Sequence, residues 1–126
     1  MDEKTRLSIM KTLYDDKLRE IFSKQSRFQH ALGYKVETLI GDEAINYIKW
    51  NTLAIIDETM EALRETPWKP WKKTQDMNFT AYKEELVDLL HFFVNACLVA
   101  GFSADELFDS YNQKMNENII RQINKY

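Results

Sequence analysis

Glycine and proline are scarce in this chain, at three and two residues in 126. With so few residues able to turn the chain sharply or stop a helix, a turn-rich β fold is disfavoured and long helices are expected. There is one cysteine, Cys97. It cannot form an internal disulfide, and its apolar setting reads as a core thiol in a reducing compartment. A basic excess is also missing. The net charge is -3, which argues against double-stranded nucleic acid as a partner. No long hydrophobic run is present either. The longest apolar stretch, 86–101, is interrupted by Asp88, His91 and Asn95, so it is too short and too polar to span a bilayer. The charged start, Met1-Asp2-Glu3-Lys4, leads into no apolar segment, so no signal peptide is expected. Together these absences lead to the expectation of a soluble cytoplasmic protein with no membrane partner.

Hydrophobic residues make up 44% of the chain, enough for a packed core. The length suits one domain, 1–126, of modest core size. Four helices are predicted. The first covers about Thr5 to Leu32, where Tyr14, Leu18, Ile21, Gln25, Phe28 and Leu32 recur at helical spacing. The second covers Asp42, as N-cap, to Glu65, and ends before Pro67 and Pro70. The third covers Thr80 to Ala100 and stops at Gly101. The fourth starts at Ser103, where Ser103-Ala104-Asp105-Glu106 matches a capping box, and runs towards Gln122. An aromatic, basic loop containing Trp68, Lys69, Trp71, Lys72 and Lys73 joins the second helix to the third.

Two acidic pairs carry the chemistry. Glu58 and Glu61 are three apart on the second helix, and Glu85 and Asp88 are three apart on the third. That spacing puts each pair on one face. The plainest alternative is that both faces are simply solvated, as in a non-catalytic helical interaction module. The third helix weakens that alternative, because apolar residues surround a narrow polar stripe of Glu85, Asp88, His91 and Asn95. If the helices pack antiparallel, the pairs face each other and repel. Either some stay protonated or a cation neutralises them. Oxygen ligands without clustered Cys or His favour Mg²⁺, Mn²⁺ or Ca²⁺ over zinc.

The ordered set Glu58-x-x-Glu61, Trp68-Lys69-x-Trp71-Lys72, Glu85-x-x-Asp88 with His91-Phe92, and Tyr111-x-x-Lys114-x-x-x-Asn118-x-x-Arg121-Gln122 resembles the all-α dimeric dUTPases of the MazG-like nucleotide pyrophosphohydrolase superfamily. Gln25-x-x-Phe28-Gln29 extends the likeness to the first helix. The resemblance implies an all-α, four-to-five-helix MazG-like bundle, completed by assembly into a homodimer or homotetramer. It implies Mg²⁺-dependent conversion of dUTP to dUMP and pyrophosphate, with Mn²⁺ as a substitute metal and dCTP or another dNTP as the alternative substrate. Glu58, Glu61, Glu85 and Asp88 become metal ligands and catalytic residues. Lys114 and Arg121 become phosphate ligands, Asn118 a sugar or phosphate contact, and Gln25 and Gln29 base readers. Gln29 stands where the family usually has Asn, and the final run lacks the family's glycine before the tyrosine, so a reduced C-terminal closing segment is expected.

The residues also have physical readings of their own. Lys114, Asn118 and Arg121 share one face, suited either to a phosphate chain or to the negative end of the helix dipole. Gln25 is the one polar residue in its stripe and needs a hydrogen-bond partner, whether a base edge or a neighbouring side chain. Trp68 is a candidate to stack on a base, whereas Trp71 is expected to pack on the end of the bundle. His91 is expected to sit in the core or behind the metal ligands.

Overall fold

The computed structural model describes residues 3–4 and 16–124. Among the described residues from 16 onward, four helices follow in order: α1 (Lys17–Ala31), α2 (Gly41–Arg64), α3 (Phe79–Val99) and α4 (Ala104–Ile123), with a short 3-10 turn, Val36–Thr38, between α1 and α2. Among the described residues there is no strand. The expected all-α fold and its helix order are borne out. The part of the predicted first helix at 5–15 lies outside the described residues.

Local chemistry sets the boundaries. The Asp16 side chain accepts from Arg19 N at 3.0 Å and opens α1. Gly33, at φ 97°, closes it, with Gly33 N donating to His30 O and Tyr34 N to Gln29 O. Asn78 caps α3 by accepting from Ala81 N at 3.1 Å. Ser103 Oγ accepts from Glu106 N at 3.1 Å, half of the expected capping box. Its reciprocal bond runs from the Ser103 hydroxyl to Glu106 Oε1 at 3.0 Å rather than from a backbone N–H. Asp42 is not the cap of α2. The extended residue Ile40 holds that place, without a side-chain bond, and Asp42 sits in the first turn, where its charge suits the positive end of the helix dipole.

α2 and α3 form a long antiparallel hairpin, which is the main packing of the molecule. The loop at 65–78 is pinned by Gln75, which bonds Lys69 N and Lys69 O, and by Asn78 N donating to Glu65 O at 3.1 Å. The core gathers at one end, where Phe22, Val36, Tyr47, Val94, Cys97, Leu98 and Ala104 meet. Cys97 is buried there, as expected. α4 turns away from α3 by 103°. It packs chiefly on α1, held by Arg19 Nη2 to Asp105 Oδ2 at 2.7 Å.

The face α1 turns inward differs from the predicted stripe. Of that stripe Gln25 is buried, together with Phe22 and Gln29 from outside it, whereas Ile21, Phe28 and Leu32 are exposed. Ile21 and Phe28 are left open because they line an apolar cavity of about 400 Å³ with Val87, Leu90 and Val94 among others. Trp71 also departs from expectation. It is 69% exposed and meets only the edge of Trp68 in the aromatic pairing, 5.7 Å away. No single described helix is long and apolar enough to cross a membrane.

Candidate active site

The register of the α2–α3 hairpin builds the site. Asn51 pairs with Asn95, Nδ2 of Asn95 donating to Oδ1 of Asn51 at 2.9 Å. Seven residues further along α2 is Glu58, and seven residues back along α3 is Asp88. Two helical turns from the amide pair, then, the two acidic pairs meet. Carboxylate oxygens of Glu58, Glu85 and Asp88 all lie within 4.8 Å of one another. A second group joins Asp57, Glu58 and Glu61 within the same distance. Asp57 was not singled out from the sequence; its place beside the Glu58-x-x-Glu61 pair was the available signal.

The electrostatics are those of crowded acids. Glu58 Oε2 and Glu85 Oε2 are shielded from water and have no hydrogen-bond partner among the described residues. The Glu85 carboxyl beside it would by itself hold Glu58 down, but desolvation and the charges of Glu61 and Asp88 outweigh that effect and raise its pKa. Glu61 is raised by its interaction with Glu85, then by desolvation and the charges of Glu85 and Asp57. Glu85 is raised by its interaction with Glu58, then by desolvation and the charges of Glu58 and Asp88. Orphaned acceptors and all-oxygen donors fit a hard divalent cation, which would satisfy both oxygens and relieve the repulsion. Simple solvated faces would leave neither oxygen buried.

Beside the carboxylates is a cavity of about 350 Å³ lined by Gln25, Phe28, Gln29, Glu58, Asp88, His91, Phe92 and Asn95. The two glutamines expected to act together are therefore brought to the acidic cluster. Gln25 is buried and already has protein partners. Its Nε2 donates to Asn95 Oδ1 at 2.8 Å, and its Oε1 meets His91 Nδ1 at 2.7 Å. Gln29 Oε1 accepts from the Tyr47 hydroxyl at 2.7 Å. Burial pushes the Tyr47 phenol up to about 12, so it remains a donor at neutral pH. His91 is bonded to Gln25 and lines the cavity with Asp88, rather than filling the core. His30 instead pairs with Glu37 on the outer surface, at 2.7 Å.

The remaining candidates lie apart within one chain. Trp68 lines a separate recess with Arg64, Lys69 and Lys72, and the Lys69 ammonium sits 5.7 Å from its ring centre. Lys114, Asn118 and Arg121 are exposed on α4. Lys114 pairs with Glu117 at 3.3 Å, and none of the three lines the cavity that holds Glu58 and Asp88.

A helical hairpin with facing acidic pairs beside an amide-lined cavity suits a hard metal ion held next to a polar ligand. A family model described as dUTPase matches residues 17–100, two thirds of the chain. The chain belongs to this all-α, MazG-like dUTPase family. A dCTP pyrophosphatase of Enterobacteria phage LZ5 is 39% identical over 71 residues, covering 47% of this chain and 41% of that protein. The chain thus aligns with less than half the length of that curated relative. No solved structure matches.

Proposed function

We propose that the protein is a Mg²⁺-dependent nucleoside triphosphate diphosphatase that converts dUTP to dUMP and pyrophosphate. The observation that carries this reading is the convergence of Glu58, Glu85 and Asp88 within 4.8 Å, two of them with orphaned buried oxygens, beside a cavity lined by Gln25 and Gln29. Glu58, Glu61, Glu85 and Asp88 would hold Mg²⁺, with Mn²⁺ as a substitute. When bound, such an ion neutralises charge on the phosphate chain and makes a bound water more acidic. Glu61 orients the attacking water and takes its proton. The water oxygen bonds to phosphorus as the bond between the α- and β-phosphates breaks, and pyrophosphate leaves. Gln25 and Gln29 contact the base. Trp68 contacts the nucleotide once assembly brings its recess to the carboxylates.

Lys114 and Arg121 bind the departing pyrophosphate, and Asn118 contacts sugar or phosphate. In one chain α4 carries them away from the carboxylates, so assembly is part of the proposal. Exposed apolar side chains support it: Ile45, Ile48, Leu53 and Ile56 on α2, Val87 on α3, and Phe108, Met115 and Ile119 on α4. A monomer rarely leaves so many apolar residues open to water. A homodimer or homotetramer would cover these faces.

A second substrate, dCTP, is favoured by the likeness to the phage dCTP pyrophosphatase. The test is incubation with Mg²⁺ and each canonical dNTP plus dUTP, with monophosphate quantified. Turnover of dUTP above the others supports the first reading, and turnover of dCTP above dUTP the second. No turnover of any triphosphate refutes both.

A further inference from the structure

The buried amides of the hairpin, with Gln25 of α1, form a chain with only one possible polarity. At its start, Asn51 bonds the backbone carbonyl of Tyr47 at 2.8 Å. A carbonyl can only accept, so the Asn51 atom there is Nδ2. Its other atom, Oδ1, then accepts from Asn95 Nδ2 at 2.9 Å. The remaining Asn95 atom, Oδ1, accepts from Gln25 Nε2 at 2.8 Å. Gln25 is left with Oε1 towards His91, at 2.7 Å from Nδ1. An oxygen in that place requires a hydrogen on Nδ1. One backbone carbonyl thus dictates, through three amides, both the orientation of Gln25 and the tautomer of His91. Beside this chain, Gln29 Oε1 accepts from the Tyr47 hydroxyl, which leaves its Nε2 hydrogens to donate.

We propose that Asn51 and Asn95 are positioning residues for base selection: they hold Gln25 in one orientation, so that the cavity favours a base edge with a carbonyl over one without. The inference rests on the reading that this cavity takes a nucleotide base. Asn51, Asn95, Gln25 and Gln29 are all at most 7% exposed, so bulk water cannot readily substitute for a misplaced partner. With the relay intact, Gln25 meets the base with one N–H and one lone pair in a fixed order, and Gln29 adds N–H donors. Pyrimidine and guanine carbonyls can accept from these groups, whereas adenine carries no carbonyl. If the relay is cut, Gln25 can turn over and present either order.

The test has two arms. The first is ¹⁵N NMR of the imidazole in a His30→Asn background, which leaves His91 as the single histidine. The wild-type sequence at residue 51 should show hydrogen on Nδ1 of neutral His91. Asn51→Leu should release it to a mixture of tautomers. Asn51→Asp should retain it, because a carboxyl oxygen still accepts from Asn95 in either protonation state. The second arm is kcat/KM for dUTP and dCTP relative to dATP. Asn51→Leu should reduce the preference for the better pyrimidine by about ten-fold, the equivalent of one misdirected hydrogen bond, and Asn51→Asp should keep it. Hydrogen on Nε2 in the unaltered relay overturns the inference without any Asn51 variant. So does an unchanged tautomer in Asn51→Leu, or an equal loss of activity towards all three triphosphates. If no triphosphate is hydrolysed at all, the proposed function fails, whereas the tautomer still decides the relay.

Discussion

Replacing Glu58 by Gln should change the sign of the site's effect on stability. Glu58, Glu61 and Glu85 are each held above the ordinary carboxylate range. Without metal, the folded chain therefore binds more protons than the unfolded chain in the window above that range. Stability falls as pH rises through that window, and the loss is present in full above it. A divalent cation replaces the protons and reverses the loss. At 100 times its dissociation constant, a ligand of the folded state alone stabilises by about 2.7 kcal/mol. For a domain of this size that corresponds to a rise in Tm of roughly 10 °C. The assay is thermal melting by circular dichroism in EDTA and in saturating MgCl₂, across pH. Metal-free Glu58→Gln should melt above the metal-free parent at neutral pH, because one crowded charge is gone and its amide can donate to Glu85. With Mg²⁺ the order should invert, since a ligand is missing. An equal Mg²⁺ shift in both proteins, or a metal-free variant less stable than its parent, would refute the role given to this cluster.

Other perturbations probe the frame around the site. Val94 is 1% exposed, and Val94→Ala removes two methyl groups and leaves a small void. Urea unfolding should show a loss of about 2 kcal/mol with an unchanged slope. Tyr47→Phe deletes the 2.7 Å donor to Gln29 and should cost about 1–2 kcal/mol by the same assay. It should also raise KM more than it lowers kcat. Asp105 is held below its usual pKa by the hydrogen bond and charge of Arg19. Its contribution is present at neutral pH and fades as pH falls through its lowered value. Asp105→Asn should therefore lower Tm at neutral pH in low salt, and the difference should shrink at acidic pH and at high ionic strength.

Much of this fold was legible because its punctuation is unambiguous. Pro67 and Pro70 follow α2, Gly101 closes α3 and Ser103 opens α4, each by a local rule that packing does not override. The acidic convergence was legible because two pairs three residues apart on adjacent antiparallel helices share one register. Other features depend on tertiary placement. Two stripes that share Gln25 run along α1, and only the docking of α3 and the 3-10 turn selects Phe22 and Gln29 over Ile21, Phe28 and Leu32. The need of Gln25 for a partner was visible, but the partner was not, because Asn95 lies 70 residues away. One signal was available: Asn51 and Asn95 stand seven residues from Glu58 and Asp88, on the inward faces of the same hairpin. The course of α4 was not legible. Helical spacing puts Lys114, Asn118 and Arg121 on one face, but the 103° turn that directs that face arises at Gly101-Phe102-Ser103.

The most direct measurement is ³¹P NMR of the products formed from dUTP and dCTP with Mg²⁺, before and after EDTA and with Glu85→Gln. Monophosphate and pyrophosphate should appear in equal amounts, and both EDTA and Glu85→Gln should abolish them while helicity is retained. Release of orthophosphate and a nucleoside diphosphate, or turnover indifferent to EDTA and to Glu85, would contradict a carboxylate-held metal acting between the α- and β-phosphates.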